Sequence, residues 1–398
     1  MLPDHSQEEA RIISVLSASS RATIARINYR ASPEHQYPTP YHDVLFGYDW
    51  IIENLLRQES DPLARKPLAQ LGVCGELVGG SLATMLALTE CQRNKHHIIA
   101  AAVNNPIVDW VFPGDLPLAP PAELPEPARP DETQFPADQD PMTWWIAAGK
   151  EGLGPTSEIP TAAVEESVST SQKRLKRAPK PPPPTSWERN SDNGILPTLT
   201  LSGERDVLFR QPEDYLDRFA SPIHFFRSPH GLLIYPPSND FVTSSSPSEQ
   251  PQDPFDWETR MDIVHFESMK TTPALIPQFP TLVRCRAYAR IYPPSGTNLA
   301  LPQWHITSGT TSPLLDQALE LAKMTKRSTA RQTLRMNTFR DLWHDPAEKT
   351  KYEAYAKERV LLNTTEGLGL WTQQDNNPDW ESQAKKVGTW IGKLLRSP

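Results

Sequence analysis

The 398-residue chain holds only three cysteines, Cys74, Cys91 and Cys285. So sparse and odd a set, without metal-ligand spacing, excludes a disulfide framework and a thiolate metal site, and it predicts a reducing compartment. Excess positive charge is absent too: the formal net charge is −8, so nothing draws the protein electrostatically to nucleic acid. No window reaches the roughly 18 apolar residues of a membrane span. The first residues, MLPDHSQEEARIISVL, carry acids where a secretory signal carries positive charge. The ten histidines are scattered and form no ligand cluster, and the last of them is His344. These absences together predict a soluble, cytoplasmic protein with no metal and no other cofactor.

Proline is abundant instead. The 42 prolines are about twice the average share, and they are clustered. Clustering predicts one globular body interrupted by long loops. The body reads as residues 1–112, 194–229 and 312–398. A Pro-rich, cap-like insertion fills 113–193 and a second insertion fills 230–311, both expected to be partly disordered. The basic run KRLKR (173–177) leads into PKPPPP at 179–184. A preformed polyproline II segment of this kind suits an SH3- or WW-type partner, and its plainer reading is a solvated linker.

Within the body, helix and strand alternate, which argues a mostly parallel α/β sheet flanked by helices. Ala10, Ile12, Ile13, Val15 and Leu16 share one face of a first helix ending near Ser20. ATIARINYR (22–30) alternates as a strand does, and YHDVLFGYDWIIENLL spaces Val44, Leu45, Tyr48, Ile51, Ile52 and Leu55 on one helical face. GVCGELVGGSLATMLALTE (72–90) is a short strand, a glycine-bounded turn and a helix of small residues. HIIAAAVNNPIVDW supplies a strand over 98–103, and ILPTLTLSGERDVLF (195–209) reads as a strand ending in an acidic turn. SPLLDQALELAKMTKR is an amphipathic helix, a helix-to-strand passage ends in EGLGLW, and DWESQAKKVGTWIGKLL is a closing helix.

Four of these stretches resemble, in order and spacing, the hormone-sensitive-lipase-like branch (fold-3) of the α/β-hydrolases. YRASPEHQYPTPYHD (29–43) is similar to that family's YRLAPEHPFPAALED signature, and GELVGGSLA (75–83) to its GDSAGGNLA nucleophile elbow. NNPIVDW resembles the segment after its sixth strand. LPTLTLSGERDVLF resembles its strand and acidic turn, LPPALVLTAEYDPLRD. The resemblance implies an α/β-hydrolase-like fold and, in its members, ester hydrolysis by a Ser, Asp, His triad with an HGGG oxyanion loop. It also implies that the chain lacks the N-terminal strands. The segments at 22–30 and 70–76 would then pair directly or leave a gap one strand wide.

Residue by residue the carry-over is uneven. Matching GDSAGG to GELVGG puts the nucleophile at Leu77, flanked by Gly75, Glu76, Val78, Gly79 and Gly80; a leucine has no lone pair with which to attack a carbonyl. The triad acid falls on Asp206, a vestigial acid here. The histidine turn, GMxHGF in the family, matches EGLGLWTQQ (366–374), which holds no histidine, and no HGGG loop is present. A catalytically silent fold-3 protein is therefore expected, binding a small acyl or apolar ligand in the old substrate pocket. The alternative is an active carboxylic-ester hydrolase using Ser81 with His230 or His305. Plainer readings stand beside these: Ser81 as a small packing residue, Cys74 as a buried apolar thiol, Glu76 as a solvent-facing carboxylate at a helix start, and Gly75, Gly79 and Gly80 as requirements of the turn.

Overall fold

A computed structural model describes residues 6–56, 69–93, 95–116, 124–125, 135–138, 184–235, 280–340, 343 and 345–396. The chain opens with helices α1 (Ser6–Ser20) and α2 (Thr39–Asn54), then β1 (Gln70–Glu76), α3 (Val78–Thr89) and β2 (His97–Asn104). Three short helices follow, α4 (Ser186–Arg189), α5 (Thr198–Leu208) and α6 (Pro212–Leu216), and a small antiparallel pair, β3 (Gly231–Ile234) and β4 (Thr281–Arg284). The C-terminal part adds β5 (Gln303–Gly309), α7 (Leu315–Thr338), α8 (Pro346–Arg359), β6 (Val360–Thr365) and α9 (Trp380–Leu395).

The main sheet has the order β1-β2-β5-β6, and every neighbouring pair is parallel. Parallel strands need a covered crossover, so a strand in the middle is buried on both faces and reads as a continuous apolar run. The Ile-Ile-Ala-Ala-Ala-Val run of β2 is such a strand, and Trp304 and Ile306 of β5 are fully buried beside it. Met85 and Leu88 of α3 and Leu321 of α7 join these strands in the main core. A second cluster, Ile12, Leu16, Val387 and Ile391, joins α1 and α9 over Ala102 of β2. Among the described residues no helix is long and apolar enough to cross a membrane.

Several sequence expectations change here. Residues 22–30 form no strand: they run extended along α2, fixed by Arg30 on Asp43 (Nε to Oδ2 3.0 Å), and join no ladder. A strand exists only where a neighbour completes its hydrogen bonds, and among the described residues none lies beside this segment or beside the outer edge of β1. Among the described residues, then, 22–30 and β1 do not pair directly. Because β1 is an outer strand, Cys74 is exposed rather than buried.

The stretch 195–209 is also corrected, because its centre is helix α5. The Thr-Leu alternation imitates a strand, but Leu201 and Leu208, seven apart, share one helical face and are the buried pair. Conversely β5, inside the range read as the second insertion (230–311), is a central strand of the sheet. The C-terminal helix α7, the passage from α8 to β6 and the closing α9 stand where the sequence puts them. Most of 113–193, including the basic run and all but the last residue of the polyproline segment, lies outside the described residues.

A candidate active site at the carboxyl ends of the strands

In open parallel sheets the crevice beyond the carboxyl ends of the strands is where ligands and catalysis are placed. Three turns converge there, after β1, β5 and β6. The first is the elbow. Leu77 sits between strand and helix with φ 51° and ψ −116°, a backbone state that costs an L residue energy and persists only where its surroundings impose it. Its N–H donates to Asn104 O (3.0 Å), and its carbonyl accepts from Ser81 N (3.0 Å) and Ile107 N (3.4 Å). Its side chain, 8% exposed, belongs to the main apolar cluster, as does that of Val78.

The flanking glycines differ in kind. A Cβ on Gly75 would stand 2.1 Å from Gly79 O, and one on Gly80 would stand 3.1 Å from Pro106 Cα, whereas one on Gly79 meets nothing within 4 Å. The turn therefore requires Gly75 and favours Gly80, and Gly79 is not among its requirements.

Glu76 is the second correction at the elbow. Far from facing solvent, its carboxylate gathers four donors: Asn104 Nδ2 (2.7 Å) and Trp371 N (2.6 Å) on one oxygen, Thr372 N (3.2 Å) and Thr372 Oγ1 (2.6 Å) on the other. Desolvation pushes its pKa up, these hydrogen bonds pull against it, and the net direction is upward. Asn104 also donates to Gly369 O (2.8 Å), and the adjacent Asn105, at φ 43°, donates to Leu368 O (3.0 Å). Thr307 and Ser308 at the end of β5 donate to the two asparagine carbonyls at 2.9 and 2.8 Å. Amides and hydroxyls thus stitch the elbow to the turn after β6, at the place where the resembled family carries its histidine. That turn presents Leu370 and Trp371, both buried.

Asp206 lies within helix α5 rather than after a strand, with a side chain 73% exposed beside Arg205. The strand next to β2 is β5, and the turn after it reads Ser312-Pro313-Leu314-Leu315-Asp316, in register with the family's DPLRD. In that comparison Ser312 stands opposite the motif's first Asp, and its hydroxyl accepts from Leu314 N (3.2 Å). Asp316 accepts from Ser186 N (2.6 Å).

Nor are the alternative residues brought together. Ser81 is fully buried inside α3 and donates weakly to Ala220 O (3.4 Å). His305 meets Asn363 Nδ2 (3.0 Å) and lies against the Trp390 ring. His230 sits beside Arg227, whose charge, with desolvation, lowers its pKa to about 4. No hydrogen bond joins Ser81 to either histidine among the described residues. The described residues also hold no cluster of metal-ligating side chains.

Residues 3–145 match a family model described as alpha/beta hydrolase fold. That match, over the first part of the chain, agrees with the parallel sheet and the elbow in giving the protein an α/β-hydrolase fold, and supports its likeness to the fold-3 family. Among curated proteins it is similar to tuliposide A-converting enzyme b1, amyloplastic, of Tulipa gesneriana, 32% identical over 72 residues, 18% of this chain and 19% of that one. Tuliposide A-converting enzyme 2, chloroplastic, of the same plant is 28% identical over 78 residues, 19% of this chain and 20% of that one. The chain thus aligns with about a fifth of the length of these relatives. Among solved structures it is similar to carboxyl esterase 2 of the fungus Tuber melanosporum, with a TM-score of 0.48, 11% identity, and coverage of 99% of this chain and 75% of that one. A hyperthermophilic esterase of Pyrobaculum calidifontis gives a TM-score of 0.48 and 12% identity, covering 98% of this chain and 70% of that one.

Proposed function

We propose that this protein keeps the α/β-hydrolase architecture without triad ester hydrolysis and acts by binding. The single observation behind this reading is Leu77, which holds the strained elbow backbone with an apolar, buried side chain. Ser312 opposite the acid motif's first Asp and Leu370 and Trp371 in the histidine's turn support it. Loss of a triad Ser or His costs about 10⁶-fold in turnover. An absent oxyanion donor costs roughly another 10² to 10³. The elbow's old substrate side suits a small apolar ligand. The segment 179–184 suits an SH3- or WW-type partner, and three free thiols suit a reducing, cytoplasmic setting.

The test is a short-chain nitrophenyl ester assay combined with a serine-directed fluorophosphonate probe. The expected result is turnover no faster than that of heat-denatured protein, and no labelled serine. Leu77→Ser should remain inactive, since no imidazole awaits the new hydroxyl, and it should lose about 2–4 kcal/mol of stability in urea unfolding. Labelling of Ser81 in the wild type, or turnover appearing in Leu77→Ser, overturns the reading.

A further inference from the structure

Helix α2 buries Val44 and Tyr48 and leaves two aromatic side chains outside the core. Phe46 and Trp50, one turn apart, are 69% and 56% exposed. They form one lip of a groove of about 380 Å³, and the extended stretch Ala25 to Asn28 forms the other. The two walls meet closely, because a Cβ on Gly47 would stand 2.9 Å from Ile27 Cγ2. Charge is uneven around this groove. Arg26 pairs with Glu9 and Arg30 with Asp43, whereas Asp49 and Glu53 are exposed and have no cationic partner among the described residues. Phe46, Asp49, Trp50 and Glu53 follow the i, i+3, i+4, i+7 spacing, so rings and free acids share one helical stripe.

We propose that this groove docks a proline-rich segment of a partner protein, one that carries lysine or arginine beside its prolines. Exposed rings are the surface on which pyrrolidine rings lie flat, and a polyproline II helix arrives preformed, so little order is lost on docking. The side chains lining the groove agree, because they chiefly donate. Trp50 Nε1 and Asn28 Nδ2 make no hydrogen bond among the described residues, and the one carboxylate of the lining, Asp43, is already taken by Arg30. A run of prolines brings carbonyls and no N–H groups, so it matches donors and asks for no acceptor.

Charge selects the partner. With the two arginines already paired, the free charges of the stripe are Asp49 and Glu53, and both call for a cation. Exposed contacts of this kind add little affinity, but they fix the direction of the segment and speed its encounter. The same two acids disfavour a second copy of the chain. A twofold pairing over this stripe would gather the free carboxylates of both copies in one interface, where like charges repel. None of the lining residues belongs to the turns around Leu77, so the groove is independent of any chemistry at the elbow.

The test is fluorescence anisotropy of dye-labelled synthetic peptides titrated with the full chain. One peptide has six prolines followed by two lysines, a second has six prolines followed by two glutamates, and a third has a glycine-serine repeat followed by two lysines. Saturable binding of the proline-lysine peptide is expected, with the other two binding far more weakly. Trp50→Ala and Phe46→Ala, at exposed positions where folding is spared, should each weaken binding about tenfold. Asp49→Asn combined with Glu53→Gln should weaken it several-fold and flatten its salt dependence. Absence of saturable binding, equal binding of the glycine-serine peptide, or unchanged affinity in both aromatic variants overturns the proposal. Self-association that sedimentation shows to be lost in Trp50→Ala would make a second copy the occupant and overturn it as well.

Discussion

Glu76 holds its neighbours through two oxygens and four donors. In Glu76→Gln one acceptor oxygen becomes an amide that faces donors with donors of its own. Leaving such groups unmatched costs about 1–3 kcal/mol. Glu76→Gln should therefore lower the urea midpoint by that amount and speed hydrogen exchange at the Trp371 and Thr372 amides. Unchanged protection there would show that the carboxylate does not hold the turn. Its importance was invisible in the sequence because its partners lie 28 and 295 positions away. Leu77, by contrast, was legible: the glycines around it and the apolar helix behind it define an elbow locally, whatever occupies the tip.

The elbow also separates a required glycine from a tolerated one. Gly75→Ala would drive a methyl into the backbone of Gly79, which cannot yield, and should cost about 3 kcal/mol. Gly79→Ala places its methyl in open space within a helix and should stabilise by roughly 0.5–1 kcal/mol. Thermal denaturation of the two variants checks this opposition of signs, and a destabilised Gly79→Ala would contradict it. The strand and helix of this unit were readable because periods of two and 3.6 follow one another within a few residues. The exchange of α5 for β5 was not. The Thr-Leu pattern of α5 favours a strand locally, and only tertiary packing selects the helix. β5 carries only Trp304 and Ile306 among polar residues, so it reads as part of the irregular stretch despite the Pro-Pro-Ser-Gly turn at 293–296 before it. Asp206, read at the end of a strand, lies on helix α5 instead.

One ionic cluster ties distant parts of the protein together. Arg227 reaches Asp109 after β2 (2.7 Å) and Glu320 on α7 (2.6 Å), with His224 and His230 close by. The Arg227 charge and burial depress His230 to about 4, and burial followed by the same charge lowers His224 well below its usual value. A depressed histidine means that the unfolded chain binds the proton more readily, so this stability is complete above about pH 6.5 and drains as pH falls toward 4. Glu320 is pushed up by burial but brought down further by Arg227, and it adds a loss below its ordinary range. Stability should fall by about 1–2 kcal/mol from His230 alone on going from pH 7 to pH 5. His230→Gln should flatten that slope in urea titrations at several pH values, and an unaltered slope would exclude this origin. The parallel sheet and its order of helices were legible because alternation is a whole-chain signal. The cluster was not, since nothing local couples positions 109, 227 and 320.

The sheet stops at β1 with nothing described on its far side, and this shapes how the molecule behaves in company. Among the described residues that flank pairs with no strand, and an unpaired row of amides and carbonyls is a template for a stretched peptide. An edge of this kind ties the clarity of a solution to its crowding as well as to the quality of the protein's interior.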